Sequence, residues 1–277
     1  MNWNIDPEII NLGGLSLRYY SFLFLTGLML SILVLKLIFK QENIPADYLD
    51  RLSLYTVIGV LAGARIAHTF FYEPSYYLNH PLEILLPIQS SPEGTYKFSG
   101  FQGLASHGGI AGMFIALYFY SKKTGEQFIK TMDLMAIAAP LGGAFIRIGN
   151  FMNSEIIGIP STLPWAVVFL RNDNIPRHPA QLYESLCYLS IFLIMIIFYK
   201  TKREKAGKGF FIGLVLVLIF TARFIIEFVK EKQVPFEEQM KLDMGQLLSI
   251  PFIFIGFGFL IMSFIKAGKM SDINRSN

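Results

Sequence analysis

The sequence predicts an all-α polytopic membrane protein of about seven transmembrane helices, with its N-terminus outside, its C-terminus cytoplasmic and small structures in its outward-facing loops. Three observations predict it. Of 277 residues, 53% are hydrophobic and only 16% charged, against roughly 25% charged in an average soluble domain, and the mean hydropathy is +0.47. Apolar runs long enough to cross ~30 Å of hydrocarbon as helices recur along the chain. Lys and Arg also crowd into alternate connections, as they do on the cytoplasmic side of a membrane.

The first run, YYSFLFLTGLMLSILVLKLIF, spans 19–39. The residues before it, MNWNIDPEIINLGGLSLR, lack the basic start and short apolar core of a cleavable signal peptide, so this span is expected to be retained. Further spans are expected near 52–72, 106–121, 131–148, 181–199, 209–229 and 246–265. The third is short and glycine-rich at its start, which suits a tilted or partly re-entrant segment. The fifth opens after Pro179, where a missing N–H costs nothing. Together they form a single integral membrane domain over 1–277, without repeats, low-complexity tracts or a second soluble domain, and SDINRSN reads as a frayed tail.

Fourteen of the 24 Lys and Arg residues fall in one set of connections and seven in the other. KTKREKAGK, after the fifth span, is the strongest cytoplasmic anchor. The outward connections, 73–105 and 149–180, are long enough to carry small elements of their own. The single Cys187 excludes an intrachain disulfide. No Cys/His cluster, HExxH, EF-hand or phosphate-loop pattern is present, so neither a metal nor another cofactor is expected, and no nucleic acid is expected as a partner.

Arg65, Arg147 and Arg223 belong to neither set, because they fall inside spans or at their rims. An arginine at mid-membrane costs roughly 2.5–3.5 kcal/mol on insertion scales and faces a bundle interior or wet cavity. Arg65 shares a helix face with His68 and Tyr72, and snorkelling also accounts for it. Arg223 and Glu227 lie one turn apart, which suits a self-neutralising pair as well as a site. In FIRIGNFMNSE, Arg147 and Asn150 share one side of a helix end, followed by Asn153 and Glu155. His107, in GLASHGGIAG, is flanked by glycines that permit close approach of a backbone or a ligand. Imidazole is suited to moving a proton near neutral pH, while a structural histidine satisfies the same pattern. His80 and His178 are less specific. Guanidinium groups suit phosphate recognition, so an enzyme acting on phospholipid and a transporter of an anionic or lipid-linked substrate both fit.

Residues Ile146 to Gly158, I-R-I-G-N-F-M-N-S-E-I-I-G, resemble the signature G-R-x-G-N-F-x-N-(G/S)-E-x-x-G of the bacterial prolipoprotein diacylglyceryl transferases, with Ile146 replacing the first glycine. LRYYSFLF, AGARIAHTFFY, SHGG, RHPAQLYES, ARFIIEF and MGQLLSIP extend the resemblance in order over nearly the whole chain. The resemblance implies transfer of the diacylglyceryl group from phosphatidylglycerol to the lipobox cysteine thiol of preprolipoproteins, with release of glycerol 1-phosphate. It also implies a multi-pass place in the bacterial inner membrane, with phosphatidylglycerol, preprolipoprotein signal peptides and membrane lipids as partners. It carries over Arg147 as phosphate ligand, Arg223 as a second phosphate or leaving-group contact and His107 as base. Tyr20, Asn150, Asn153, Glu155 and Gly158 are expected to shape the headgroup pocket, and Glu227 to orient Arg223. Tyr19, Ser106 and Ile219 stand where the family more often has tryptophan, phenylalanine and tyrosine.

Overall fold

The computed structural model describes residues 1–12, 15–86, 88–90, 96–98, 105–203, 206–232 and 240–276. Gly13 and Gly14, Gly103 and Leu104 before His107, Glu204 and Lys205 of the basic run, and the side chain of Ser106 lie outside the described residues. In chain order the elements are β1 (Asn2–Trp3), β2 (Glu8–Leu12), β3 (Leu15–Arg18), α1 (Tyr19–Gln41), α2 (Ala46–Phe71), α3 (Pro74–Asn79), α4 (Leu82–Leu85), β4 (Ile88–Ser90), β5 (Tyr96–Phe98) and α5 (Ser106–Thr124). They continue with α6 (Phe128–Met152), β6 (Val167–Phe169), β7 (Pro176–Arg177), α7 (Ala180–Lys202), α8 (Phe210–Glu227) and α9 (Met244–Ser276).

Among the described residues, six helices are long and apolar enough to cross a membrane: α1, α2, α6, α7, α8 and Met244–Ala267 of α9. The expected span at 106–121 is a continuous helix, α5, but it falls outside this set. Its glycine-rich start and the lysines of its last turn, Lys122 and Lys123, dilute its apolar character. The expected frayed tail is also helical in its backbone, since α9 runs to Ser276. Both long connections carry elements of their own, α3, α4, β4 and β5 in one and β6 and β7 in the other.

The chain divides into two compact units, Met1–Ile38 with Met132–Asn277, and Phe39–Thr131. In the first, α1 rests on α6 where Gly27 faces Gly142 and Phe145, and Ser31 Oγ donates across the contact to the Ala138 carbonyl at 3.3 Å. α7 joins α6 through Ser185 Oγ, which donates to the Ala144 carbonyl at 3.1 Å. α8 and α9 approach through Gly213 and Gly256: a Cβ on either would lie within 3 Å of the other's carbonyl oxygen. Small residues at such crossings let backbones meet where lipid removes the hydrophobic drive for association.

Asp133 of α6 supplies the cap that α8 lacks in its own sequence. Its Oδ2 accepts the Gly209 N–H at 2.7 Å and its Oδ1 the Ile212 N–H at 2.9 Å. Two orphan donors of a helix start are thus satisfied by a carboxylate from another helix, where the helix dipole also favours negative charge. Strands β6 and β7 of the connection between α6 and α7 join the N-terminal β1 in a three-stranded sheet of order β1-β6-β7, with β1 parallel to β6 and β7 antiparallel to it. Phe151, Ile157, Val167 and Phe169 form its core, and Trp3 stacks obliquely on Phe151 at 4.4 Å. This sheet fixes the loop that follows Arg147.

In the second unit, α2 and α5 cross through Gly59 and Gly63 on one helix and Gly108 and Gly112 on the other. A Cβ on Gly63 would sit 2.8 Å from the Gly112 Cα. The glycines beside His107 therefore admit another backbone, that of α2. Arg65, on α2, is buried and does not snorkel: its Nε donates to the Ile84 carbonyl at 3.3 Å, Nη1 to the Tyr77 hydroxyl at 3.1 Å and Nη2 to the Glu83 carbonyl. It ties the α3–α4 connection to α2. His68 stacks on Tyr72 at 5.4 Å.

Candidate active site

The polar stretch that follows the apolar run of α6 is divided by the helix end. Arg147 and Asn150 lie on its last turns, and Asn153 and Glu155 lie in the loop beyond Met152. The Glu155 N–H donates to the Asn150 carbonyl at 2.9 Å and the Asn153 N–H to the Gly149 carbonyl at 3.1 Å. Ser154 and Ile156 take φ of 57° and 56°. Left-handed backbone is costly for a β-branched residue such as Ile156 and persists only where surroundings impose it.

This turn folds the Glu155 carboxylate back onto the helix. Asn150 Nδ2 donates to its Oε2 at 3.1 Å and Asn153 Nδ2 to its Oε1 at 3.0 Å. Arg147 Nη1 donates to Asn150 Oδ1 at 3.3 Å, so the Asn150 amide sits between guanidinium and carboxylate. Gln181 of α7 donates its amide to the Glu155 carbonyl. Tyr20, second residue of α1, packs over Gly149: a Cβ there would lie 2.9 Å from Tyr20 Cδ2. Its phenol lies within electrostatic reach of Glu155 and Arg147. Gly158 is wedged between His178 and Val229, since a Cβ would approach both carbonyl oxygens within 2.6 Å.

Arg177 secures the loop from the other side. Buried, it donates to the Gly158 carbonyl at 3.2 Å, to Glu231 Oε1 at 3.1 Å and through Nε to Asp173 Oδ2 at 2.9 Å. The Arg177 hydrogen bonds hold the Asp173 carboxyl below the ordinary carboxylate range.

The guanidinium of Arg147 is clamped on its other edge. Its Nε lies 2.9 Å from Glu184 Oε2, on α7, and the Glu184 side chain is 0% exposed. Glu184 Oε1 is 3.6 Å from Lys230 Nζ. Lys230 in turn donates to Glu227 Oε2 at 2.9 Å. Glu227 was expected to orient Arg223; its partner is instead Lys230, and among the described residues no ion pair joins it to Arg223. The reason is geometric, because the chain leaves α8 at Glu227 and the turn that follows lays Lys230 back on the carboxylate. Arg223 is half-buried, its Nε makes no hydrogen bond among the described residues, and the Tyr188 hydroxyl lies within electrostatic reach of both Arg223 and Arg147.

The first unit thus brings together Tyr20, Arg147, Asn150, Asn153, Glu155, Gly158, Arg223 and Glu227, eight of the nine site residues read from the sequence. His107 belongs to the second unit, exposed in the first turn of α5. Glu184, Gln181 and Lys230 were not foreseen. Glu184 had a legible signal, since it is the one carboxylate within the 181–199 span. Lys230 had none, because by position it counts as a loop cation beyond α8.

Arg147, Arg223 and Lys230 face Glu155, Glu184 and Glu227, so the formal charges cancel. Of the three cations only Arg223 lacks a carboxylate partner among the described residues. The arrangement can receive one anion at Arg223 beside an oriented Arg147, with amide, phenol and carboxylate groups nearby to accept and donate hydrogen bonds.

The family model described as prolipoprotein diacylglyceryl transferase matches residues 7–262. A relative from Bacteroides fragilis is 47% identical over 260 residues, covering 94% of both chains. One from Tolumonas auensis is 43% identical, covering 94% of this chain and 96% of its own, and one from Porphyromonas gingivalis is 36% identical over 94% of each. All three carry the name phosphatidylglycerol--prolipoprotein diacylglyceryl transferase. With a match over nearly its whole length and relatives 36–47% identical, the chain belongs to the prolipoprotein diacylglyceryl transferase family.

Proposed function

We propose that this protein transfers the diacylglyceryl group of phosphatidylglycerol to the lipobox cysteine thiol of preprolipoproteins, forming a thioether and releasing glycerol 1-phosphate in the bacterial inner membrane. The observation that carries the reading is the pair of guanidinium groups, Arg147 and Arg223, both within electrostatic reach of Tyr188 and both carried on helices apolar enough to span a membrane. An anion at that depth with an apolar body is a phospholipid.

In the reaction the thiolate sulfur attacks the glycerol carbon that bears the phosphate, the carbon–oxygen bond breaks, and the phosphodiester departs as a monoester. The attacking form is the thiolate, whereas a free thiol has a pKa of roughly 8.5, so a base is needed. His107 takes that role: it is an exposed imidazole, and it receives the thiol proton. Charge grows on the phosphate oxygens as the bond breaks. Fixed guanidinium groups in a water-poor site stabilise that charge without reorganising. Arg223 meets the phosphate and the leaving oxygen, and Arg147 binds a second phosphate oxygen from the edge not held by Glu184. Tyr20, Asn150, Asn153, Glu155 and Gly158 shape the headgroup pocket, whose polar groups suit the hydroxyls of a glycerol headgroup.

The test is to incubate purified protein in phosphatidylglycerol vesicles with a lipobox peptide and to follow peptide mass. A thioether-linked diacylglyceryl product, lost in Arg223→Ala and in His107→Asn, is the expected result. No product, with flipping or uptake of labelled lipid instead, assigns the arginines to transport.

A further inference from the structure

Glu184 is an internal anion competing with any substrate phosphate for Arg147. It is fully buried and 2.9 Å from the Arg147 Nε, and its other oxygen lies 3.6 Å from Lys230 Nζ. Lys230, 5% exposed at its side chain, is itself 2.9 Å from Glu227. Gly245, at the start of α9, presses on the Glu227 carboxylate so closely that a Cβ there would lie 2.6 Å from Oε2. Arg147, Glu184, Lys230 and Glu227 thus form an alternating row across α6, α7, the turn after α8 and the start of α9. Buried charges are tolerated when paired, and here each inner member serves two neighbours.

We propose that Lys230 is a positioning residue of the anion site: its ammonium takes up the charge of Glu184 so that Arg147 can face a phosphate. The inference rests on the transfer reaction proposed above for the meaning of that phosphate, but its charge argument does not. With Lys230 present the row sums to zero. Without it, the buried Glu184 has Arg147 as its one remaining partner in the row, and an incoming phosphodiester must draw the guanidinium away from an uncompensated carboxylate. A point charge on a flexible stem suits this task, because Lys230 can close on Glu184 as Arg147 turns to the substrate while still bonding Glu227.

A purely structural lysine, one that only pins the turn after α8 to Glu227, makes a different prediction, and a mutant cycle separates the two. Lys230→Met is expected to raise the KM for phosphatidylglycerol at least about tenfold with a much smaller change in kcat, and Lys230→Arg to behave close to wild type. Once Glu184→Gln has removed the competing charge while keeping an oxygen for Arg147, adding Lys230→Met should change KM less than about twofold. Glu227→Gln should give no such relief. The same cycle is read without transfer by the rise in unfolding temperature on adding glycerol 1-phosphate, since a ligand that binds only the folded state stabilises it. That rise should be present in wild type, lost in Lys230→Met and restored in Lys230→Met with Glu184→Gln. If Lys230→Met does not accumulate, recovery of folded protein by Glu184→Gln supports the proposal. Recovery by Glu227→Gln alone, or by neither, overturns it, as does a wild-type KM in Lys230→Met. A wild-type protein that makes no thioether but shows the glycerol 1-phosphate pattern refutes the proposed reaction and leaves Lys230 in its role.

Discussion

Replacing Arg147 by lysine keeps the charge and removes the fork. In the wild type the guanidinium pairs by charge with Glu184 at 2.9 Å and donates a hydrogen bond to Asn150 at 3.3 Å, which hold the group in place and leave its remaining nitrogen for the substrate oxygen proposed above. A lysine ammonium has a single nitrogen and settles on the buried carboxylate, because a charge-assisted hydrogen bond there is worth about 1.5–3 kcal/mol. Folding is then largely preserved, while the donor aimed at the phosphate is lost. Loss of one preorganised donor to a developing oxyanion costs about 3–4 kcal/mol, or roughly 100- to 1,000-fold in kcat. The assay is steady-state thioether formation in vesicles of fixed phosphatidylglycerol content, with unfolding temperature measured on the same preparation. Arg147→Lys should fall by that factor in kcat with a shift of a few degrees at most. A rate within about threefold of wild type would show that a point charge suffices and that the fork has no part in the chemistry.

The remaining expectations concern the frame. Asp133→Asn leaves one oxygen for the Gly209 and Ile212 N–H groups and turns an amide donor towards the other, so it should destabilise by about 2–3 kcal/mol and speed amide exchange at the start of α8; unchanged exchange there would remove Asp133 as its cap. Gly63→Val must part α2 from α5, because the added atoms meet the Gly112 backbone; overpacking of this kind costs about 1–3 kcal/mol or more, and an unchanged unfolding temperature in detergent would refute the close crossing. The Asp173 carboxyl is held low by its hydrogen bonds from Arg177, so its contribution to stability is full above the ordinary aspartate value of about 3.9 and fades as pH falls through the lower folded value. Asp173→Asn should therefore destabilise at neutral pH and lose its effect in strong acid, and an equal effect at both would contradict the pairing.

Much of the fold was legible because a membrane imposes one rule on a long stretch of chain. Every backbone group must be satisfied within its own segment, so twenty apolar residues read as a helix with little ambiguity, and α1, α7 and α8 lie close to their expected limits. Composition judged α5 less well, since a helix whose surface is spent on Gly108 and Gly112 packing needs fewer bulky apolar side chains than one facing lipid. The caps were not legible at all. Gly209 carries no side chain to cap α8, and the carboxylate that does so comes from Asp133, 76 residues earlier, a distance no local pattern spans.

The site divides in the same way. FIRIGNFMNSE is legible because its polar groups lie within one helix end and one turn, where spacing alone brings Arg147, Asn150 and Glu155 together. Arg223 and Glu227 have equally good spacing and yet do not pair, since i,i+4 proximity on a helix is worth only about 0.2–0.5 kcal/mol and a buried ammonium in the following turn offers Glu227 more. Counting charges along the chain treats each intramembrane ion as a separate cost and leaves a structural and a functional reading open for Arg65 and Arg223. The three-dimensional pairing accounts for most of these charges structurally. Arg65 is discharged by backbone carbonyls and a tyrosine, and Arg147, Glu184, Lys230 and Glu227 offset one another, which removes the need for a ligand to explain their presence. Arg223 is the arginine whose cost the described fold leaves unmet, and it stands within electrostatic reach of the same tyrosine as the oriented Arg147. An anion bound there would offset that cost, which is the physical ground for the phosphate role proposed for Arg223.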